Sequence, residues 1–156
     1  MTELHLPLQT ERLTLRAHQL TDLAALFLIH SRPDVSRYLL HEPWTADMAE
    51  GKIRERMLMT DLEGEAGYLA LVIEHHGTVV GHIKLWFTDR ERRVAEIGWA
   101  LHPDHSGQGF AAEAASAVLD LAFDHYTLHR VAAQMDGRNV GSANVAARIG
   151  MRCEAY

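Results

Sequence analysis

The amino-acid sequence predicts an α/β fold in which a mixed sheet carries helices on both faces. Residues 12–17 alternate apolar and polar side chains, which is typical of a strand with one buried face. Residues 68–87 are rich in β-branched and aromatic residues, and residues 109–126 have a helical period. The predicted order of elements is β-α-α-β-β-β-α-β-α-β. Because helices separate the strands, both faces of the sheet must be covered.

Two helices are predicted after the first strand. Thr21 is the expected N-cap of the first helix, whose neighbouring turns carry Leu23, Leu26, Phe27 and His30. Pro33 is expected to end this helix. Thr45 is the expected N-cap of the second helix, which has apolar residues at i, i+4 and i+8, namely Ala49, Ile53 and Met57.

Three strands are predicted next, and the first two form a hairpin. Residues 68–74 and 78–87 flank the segment 75–77, whose sequence His-His-Gly favours a turn. The third strand covers residues 94–101, and Pro103 breaks it.

The C-terminal part is predicted to contain two helices and two strands. The helix over residues 109–126 is rich in alanine and has a polar stripe that we interpret as a solvated face: Glu113, Ser116, Asp120 and Asp124. A strand near residues 130–135 precedes a helix over residues 142–149, with Gly150 as its left-handed C-cap. From Arg152 onward the sequence predicts the start of a further strand.

Length and composition predict one globular domain over residues 1–156. The chain is 47% hydrophobic and 23% charged, which excludes a disordered chain, a collagen-like repeat and a disulfide scaffold. No apolar run approaches the ~20 residues that span a bilayer, and the N-terminus lacks the apolar region of a secretory signal. Cys153 is the only cysteine, which fits a reducing compartment and predicts a cytoplasmic protein.

Charge and histidine spacing limit the predicted partners. The net charge is −6 with neutral histidines, and no basic block is present, so we expect no nucleic-acid partner and no membrane partner. The spacings within His102/His105 and His125/His129 would permit metal binding. Without a matching cysteine or carboxylate pattern, we predict no metal site.

The most informative stretch is residues 102–114, where a strand, a proline, a glycine-spaced turn and a helix N-terminus follow one another. Gly107 and Gly109 permit a tight backbone whose N–H groups point one way, beside the positive end of a helix. This pattern predicts a phosphate site, although glycines before a helix are also often only a turn. It is not a Walker A loop, and Ala112 occupies the third glycine position of a dinucleotide-binding fingerprint.

Four segments together resemble the GNAT N-acetyltransferases, and within them the branch of RimJ/RimL-like ribosomal-protein N-terminal acetyltransferases. They are residues 10–16 (TERLTLR), 95–99 (AEIGW), 107–114 (GQGFAAEA) and 139–151 (NVGSANVAARIGM). The resemblance covers essentially the whole chain and implies the acyl-CoA N-acyltransferase fold. The sequence departs from the family at Ser106, where Gln, Arg or an aromatic is usual, and at Ala146, where many members have tyrosine. The family usually has two strands after the last helix, so the C-terminal strands are expected to be truncated at Tyr156. Either the product is naturally short, or the sequence is incomplete, or a neighbouring subunit supplies the missing edge.

The resemblance implies where acetyl-CoA, the co-substrate, would bind. The strands over residues 96–101 and 130–135 would splay apart, and the pantetheine arm would pair with the backbone of Trp99, Ala100 and Leu101. The pyrophosphate would lie on the backbone amides of Gly107, Gln108, Gly109, Phe110 and Ala111. Asn139 would hydrogen-bond the cofactor arm, or it simply turns the chain before the last helix.

Two residues are candidates for proton transfer. Glu96 is the candidate base, acting through water, and in a strand it shares a face with Gly98 and Ala100. The alternative for Glu96 is a half-exposed strand charge, or a salt bridge to Arg92, Arg93 or Arg130. Ser142 is the candidate proton donor to the leaving thiolate, but we favour the interpretation that it only caps the last helix. A covalent role for Cys153 is disfavoured because no histidine lies near it in sequence.

The predicted function is acetyl-CoA-dependent transfer of an acetyl group to a primary amine, either a protein N-terminal α-amine or a small-molecule amine. The alternatives are a non-catalytic acyl-CoA-binding sensor and a structural subunit, and a homodimer is the preferred oligomeric state. The helices near residues 21–31 and 45–60 and the hairpin at 87–92 would wall the acceptor site. They contribute a chemically mixed set of residues: Arg32, Arg37, Glu42, Trp44 and Asp47.

Overall fold

The computed structural model describes residues 3–36, 43–136 and 138–154. The strands are β1 (Leu8–Gln9), β2 (Thr14–Ala17), β3 (Thr60–Asp61), β4 (Tyr68–His75), β5 (Thr78–Asp89), β6 (Val94–Leu101) and β7 (Arg130–Ala132). The helices are α1 (Leu23–His30), α2 (Pro33–Ser36), α3 (Ala46–Met57), α4 (Phe110–Asp120) and α5 (Val140–Arg148). Short helical turns of other types cover Leu20–Asp22, Pro103–His105 and Leu121–His125.

The strands form one seven-stranded sheet in the order β1-β2-β4-β5-β6-β7, and β3 pairs with β4. All neighbouring strands are antiparallel except β6 and β7, which are parallel. The sheet is therefore mixed, as the sequence predicts.

Both faces of the sheet are covered, because successive side chains of a strand point to opposite faces. Leu71 and Ile73 of β4 belong to the core cluster that contains Phe110 of α4. Val72, which lies between them, belongs to a second cluster with Leu26 of α1 and Ile53 of α3. The predicted α/β class with helices on both faces is confirmed.

Most of the predicted elements are confirmed where a local signal specifies them. Thr45 caps α3, because its hydroxyl accepts a hydrogen bond from the Met48 N–H at 3.3 Å. The hairpin between β4 and β5 turns at His76 and Gly77, whose φ angles are 49° and 79°. Gly150 follows α5 with a φ of 89°, as expected of a left-handed C-cap.

The entry to α1 differs from the prediction. Thr21 lies inside the turn Leu20–Asp22 and does not cap the helix. The carboxylate of Asp22 accepts a hydrogen bond from the Gln19 N–H at 2.8 Å and two from the Arg16 guanidinium at 2.7 and 2.9 Å. Asp22 thus closes the turn before α1 and is fixed there by its bidentate pair with Arg16, but its side chain makes no capping hydrogen bond to α1 itself.

The proline after α1 also behaves differently from the prediction. Pro33 does not end α1, which already stops at His30, but is the first residue of α2. Its fixed φ and missing N–H suit the first position of a helix.

The predicted strand from Arg152 onward is not formed in residues 151–154, the last that the structure describes. A strand needs backbone pairing with a neighbour. Here the contact with β7 is made by side chains, since Glu154 forms an ion pair with Arg130 at 2.5 Å.

Candidate active site

The loop between β6 and α4 has the backbone geometry predicted for a phosphate site. Gly107 and Gly109 have φ angles of 78° and 81°, a left-handed conformation that L side chains rarely adopt. Gly109 is the N-cap of α4, so the N–H groups of Phe110 and Ala111 have no acceptor within the helix. Among the described residues, no hydrogen bond uses the N–H of Gly107, Gln108 or Gly109. The loop thus presents free amides beside the positive end of the helix dipole.

Two arginines bring positive charge to this loop. A Cβ atom placed on Gly109 would lie 3.3 Å from Nη2 of Arg12 and 3.5 Å from Nη1 of Arg148. Arg12 also donates from Nη1 to the carbonyl of Gln108 at 2.8 Å. Amides that donate hydrogen bonds and guanidinium groups that neutralise charge are together suited to phosphate oxygens. Neither arginine could be predicted from the sequence, because only the fold brings residues 12 and 148 to residue 109.

Glu113, on the first turn of α4, holds the N-terminal segment in place. Its carboxylate accepts hydrogen bonds from the Thr10 hydroxyl, from the Arg12 N–H at 2.8 Å and from Arg12 Nε at 2.6 Å. Burial alone would raise the pKa of Glu113, but these hydrogen bonds hold that pKa below its ordinary value.

The prediction that Glu113 belongs to a solvated face is therefore wrong. Helical spacing identifies a polar stripe, but it does not show which distant segment covers part of it. The other three residues of the stripe are exposed: Ser116, Asp120 and Asp124.

We expect Glu113→Gln to lower the free energy of unfolding by about 1–3 kcal/mol, because a neutral amide replaces a charged acceptor of three hydrogen bonds. Urea unfolding measures this change. Asp120→Asn is the matched control, since it removes one negative charge from the exposed side of the same helix and should change stability by less than about 0.5 kcal/mol. Equal stabilities of the two variants would show that the contacts of Glu113 contribute nothing.

β6 and β7 separate and leave a cleft between them. They pair only at Val94–Arg130, Ala95–Val131 and Glu96–Ala132. Beyond Glu96, β6 continues to Leu101, so the edge that includes Trp99, Ala100 and Leu101 has no strand partner within the described part of the chain. The cleft has a volume of about 430 Å³, and its lining includes Gly98, Trp99, Gln134, Asn139 and Ser142.

Glu96 lies at the point where the two strands separate. Its Oε1 accepts a hydrogen bond from Nε2 of Gln134 at 3.2 Å. The alternative of a salt bridge is wrong for all three candidate arginines within the described residues. Arg92 pairs with Asp89, Arg93 with Glu63 and Arg130 with Glu154.

The start of α5 reverses the roles expected of Asn139 and Ser142. Asn139 is the N-cap, and its Oδ1 accepts a hydrogen bond from the Ser142 N–H at 3.0 Å. The favoured interpretation that Ser142 caps this helix is therefore wrong. Asparagine three positions earlier fills that role, so the half-buried Ser142 hydroxyl lines the cleft without a capping function.

Polar side chains continue from the cleft across the sheet face that carries Glu96. The register places Tyr68 beside Trp86, and Trp86 beside Glu96. The rings of Tyr68 and Trp86 are stacked with centroids 5.4 Å apart. In the next row Lys84 lies between Ala70 and Gly98, so small neighbours leave space above the lysine.

A second cavity adjoins the cleft on this face, and we call it the acceptor cavity. It has a volume of about 250 Å³ and is lined by two methionines and by the charged or aromatic residues Trp44, Lys52, Glu55, Arg56, Tyr68 and Lys84. Tyr68 and Lys84 line both spaces, so the acceptor cavity lies directly beside the cleft.

Burial and like charge change the ionisation of two cations here. Desolvation, together with the charges of Arg56 and Lys52, lowers the pKa of Lys84 to about 8. Desolvation also lowers the pKa of Arg56 to about 10. Both groups are still mostly protonated at neutral pH.

Of the residues that line the acceptor cavity, only Trp44 was predicted from the sequence. Lys84 and His82 in an otherwise apolar strand were the available signal. Of the predicted acceptor wall, Asp47 is exposed on the first turn of α3 and does not line the cavity. Arg37 and Glu42 lie outside the described residues.

Two kinds of feature are absent from the residues that the structure describes. No group of three or more His, Cys, Asp or Glu side chains is arranged to hold a metal ion there. No helix in the same ranges has the length and apolar character needed to cross a bilayer.

Comparison with known proteins shows the family. The family model described as "Acetyltransferase (GNAT) domain" matches residues 12–152. The protein named "Uncharacterized N-acetyltransferase p20" of Bacillus licheniformis is 34% identical over 136 residues, which are 86% of this chain and 76% of that protein.

Solved structures agree with the family model. An acetyltransferase (GNAT family) from Bacillus anthracis superposes with a TM-score of 0.83 at 29% identity, covering 97% of this chain and 86% of that one. Spermidine N-acetyltransferase from Vibrio cholerae, solved with CoA and spermine, has a TM-score of 0.79 over 94% of this chain and 85% of that one. At 22% identity the second likeness shows the fold alone. The chain thus belongs to the GNAT family and is an acetyl-CoA-dependent acetyltransferase.

Proposed function

We propose that the chain transfers the acetyl group directly to a primary amine, either the α-amine of a protein N-terminus or a small-molecule amine. One observation carries this proposal. A continuous path runs from the free amides of residues 107–111, along the unpaired edge of β6, to the cleft beside Glu96 and Lys84.

The residues present suit acetyl-CoA. The amides of residues 107–111, with Arg12 and Arg148, would hold the pyrophosphate. The β6 edge at Trp99, Ala100 and Leu101 would pair with the amides of the pantetheine arm as an added strand does. Asn139 already uses its side-chain oxygen at α5, so only its side-chain NH2 is available to the cofactor. When bound, acetyl-CoA supplies the activated carbonyl carbon.

The amine must be neutral to react. An α-amino group has a pKa of about 7.7–8.0, so part of it is neutral at pH 7.5, whereas a lysine side chain near 10.4 is a harder substrate. Glu96 accepts the proton through water, which its position where β6 and β7 separate, in contact with Gln134 of the cleft lining, supports. The Ser142 hydroxyl passes a proton from water to the departing thiolate, so that the serine itself stays neutral. Because a thiol of pKa ~8.5 is a fair leaving group, a weak acid suffices.

Variants of these two residues test the assignment. We expect Glu96→Gln to lower kcat about 10–100-fold at pH 7, with partial recovery at pH 9, where the amine loses its proton without help. Ser142→Ala should lower kcat by a smaller factor and leave stability unchanged, because Asn139 caps the helix. Steady-state kinetics over this pH range measure both effects.

The control for Glu96 is Glu91→Gln, which removes the same charge from the exposed turn between β5 and β6. A pH profile of Glu96→Gln equal to that of the Glu91 variant would exclude Glu96 as the base. A Ser142→Ala variant with full kcat would exclude the serine as the proton donor.

Binding and turnover together test the function as a whole. Calorimetry with acetyl-CoA, followed by a panel of amines, should show binding and acetylation of at least one amine. Binding without acetylation of any amine would instead support the non-catalytic sensor.

A further inference from the structure

The acceptor cavity carries more positive charge than its neighbours neutralise. The sequence contains two lysines, Lys52 and Lys84, and both line this cavity together with Arg56. Glu55 is the one acidic residue of the lining. A small space bordered by three cations and one carboxylate favours an anion.

Arg56 is the most constrained of these cations. It is only 8% exposed, and both of its Nη atoms lie 3.3 Å from Nε2 of His30. Its guanidinium also stacks over the Trp44 ring, 4.9 Å from the centroid. Within the described residues none of its contacts is an ion pair with a carboxylate. A buried guanidinium held by two rings therefore has donors left for a ligand.

Lys84 of β5 lines the acceptor cavity on the side of the sheet. Its Nζ lies 5.8 Å from the centroid of Trp86, and the described residues give it no hydrogen bond or ion pair. Repulsion by Arg56 and Lys52 contributes to its lowered pKa. The three charges are thus close enough to destabilise one another in the absence of an anion.

The nearby carboxylates outside the lining have other partners. Glu96 accepts from Gln134 at the far side of Trp86, and Asp136 in the cleft pairs with Arg138 at 2.7 Å. Neither is placed to neutralise Arg56 or Lys84 by an ion pair.

We propose that the acceptor cavity binds an anionic group of the acceptor, a carboxylate or a phosphate, so that the preferred substrates are amines that also carry negative charge. This inference rests on the proposed function and names the substrate class. The cavity volume of about 250 Å³ is below the range of sites for drug-sized ligands, which suits a small amine or the end of a peptide. Polyamines would meet repulsion from Lys84 and Arg56.

The experiment compares acceptors of different charge, and the Glu and Gln peptides form the pair most closely matched in shape. Each acceptor is assayed with acetyl-CoA on the wild type. The acceptors are four tripeptide amides, which begin with Glu, Gln, phosphoserine or Ser, and spermidine. The same acceptors are assayed on Lys84→Met and Arg54→Met. Arg54 lies on the exposed side of α3 and outside the cavity, so its variant removes one positive charge without touching the site. Methionine is close to lysine in shape, and thermal unfolding checks that the fold is kept.

We expect the wild type to have at least about tenfold higher kcat/KM for an anionic acceptor than for its neutral counterpart. The Glu and phosphoserine peptides show which anion is preferred. Lys84→Met should reduce the preference to less than about threefold, and Arg54→Met should retain it.

Equal kcat/KM for charged and neutral acceptors, or a preference for spermidine, would overturn the inference and leave the proposed function standing. If no amine is acetylated, calorimetric titration of the same peptides into the CoA-loaded protein shows whether the acceptor cavity binds an anion. Tighter binding of the Glu or phosphoserine peptide then supports the anionic site although the proposed function fails, and equal binding overturns both.

Discussion

Replacing Gly109 by valine should weaken acetyl-CoA binding by more than about 100-fold. Gly109 has a φ of 81°, which is an outlier for a β-branched residue. The added side chain would also point at Arg12 and Arg148, the two guanidinium groups beside the loop. If two charge-assisted phosphate contacts are lost, at about 1.5–3 kcal/mol each, the expected loss exceeds two orders of magnitude in Kd. Calorimetry with acetyl-CoA measures it.

Gly77→Val is the matched control for this prediction. Gly77 has nearly the same left-handed φ, 79°, but a Cβ atom there meets nothing within 4 Å. The two variants should lose similar stability in thermal unfolding, since both place valine in a strained conformation. Only the Gly109 variant should lose acetyl-CoA. Unchanged affinity in a folded Gly109→Val protein would mean that residues 107–111 are a turn and not a phosphate site.

Mild acid should destabilise the protein because two histidines are buried in the neutral form. His18 and His82 are each 3% exposed, and their ring nitrogens have no hydrogen-bond partner. Desolvation, reinforced by the charge of Arg56, lowers the pKa of His18 to about 3 and that of His82 well below its ordinary value. The unfolded chain, with histidine pKa values near 6.5, therefore binds more protons than the native state below that pH.

The free energy of unfolding therefore decreases as the pH falls through 6.5. It keeps decreasing until the pH reaches about 3. For His18 the loss between pH 7 and pH 5 is about 2 kcal/mol, and His82 adds to it in the same direction. Urea unfolding at the two pH values measures the change. The ordinary pKa values of Asp and Glu side chains, about 3.9 and 4.3, lie below the range from pH 5 to pH 7, and the lowered pKa of Lys84, about 8, lies above it.

His18→Leu isolates this contribution, because leucine is of similar size and the histidine ring makes no hydrogen bond that would be lost. The variant should lose about 2 kcal/mol less than the wild type between pH 7 and pH 5. His129→Gln, at an exposed position, should keep the wild-type dependence. Identical pH dependence in all three proteins would show that His18 is not buried in its neutral form.

The features predicted correctly from the sequence are those that neighbouring residues determine. Thr45 and Gly150 act within one turn of the helix that each terminates, and His76-Gly77 closes its hairpin locally. Gly107 and Gly109 take the left-handed conformation that their spacing before α4 suggested. Alternation along β6 also placed Glu96, Gly98 and Ala100 on one face. Propensity and periodicity describe such short-range effects well.

Local capping signals are ambiguous when several polar residues compete. Thr21 and Ser142 are both reasonable N-caps by sequence. In the structure Thr21 lies inside a turn that Asp22 closes by accepting from the Gln19 N–H, and Asn139 caps α5. The choice depends on the chain direction at each helix entry and, for Asp22, on the guanidinium of Arg16. Sequence spacing contains neither fact.

The sequence by itself determined the order of the longer helices and strands from β2 to α5, the mixed sheet and the glycine-spaced loop before α4, because each follows from residues close together in the chain. It did not predict the short elements β1, α2 and β3, and it predicted a last strand that is not formed in residues 151–154. Only the tertiary structure decided what surrounds the reacting groups. It joined Glu113 to Thr10 and Arg12 across about one hundred residues and brought Arg148 to Gly109. It also assembled the acceptor cavity from Arg56 of α3 and Lys84 of β5. The charge balance of a cavity is a sum over distant segments, and burial, which changes the pKa of each group, exists only after those segments pack.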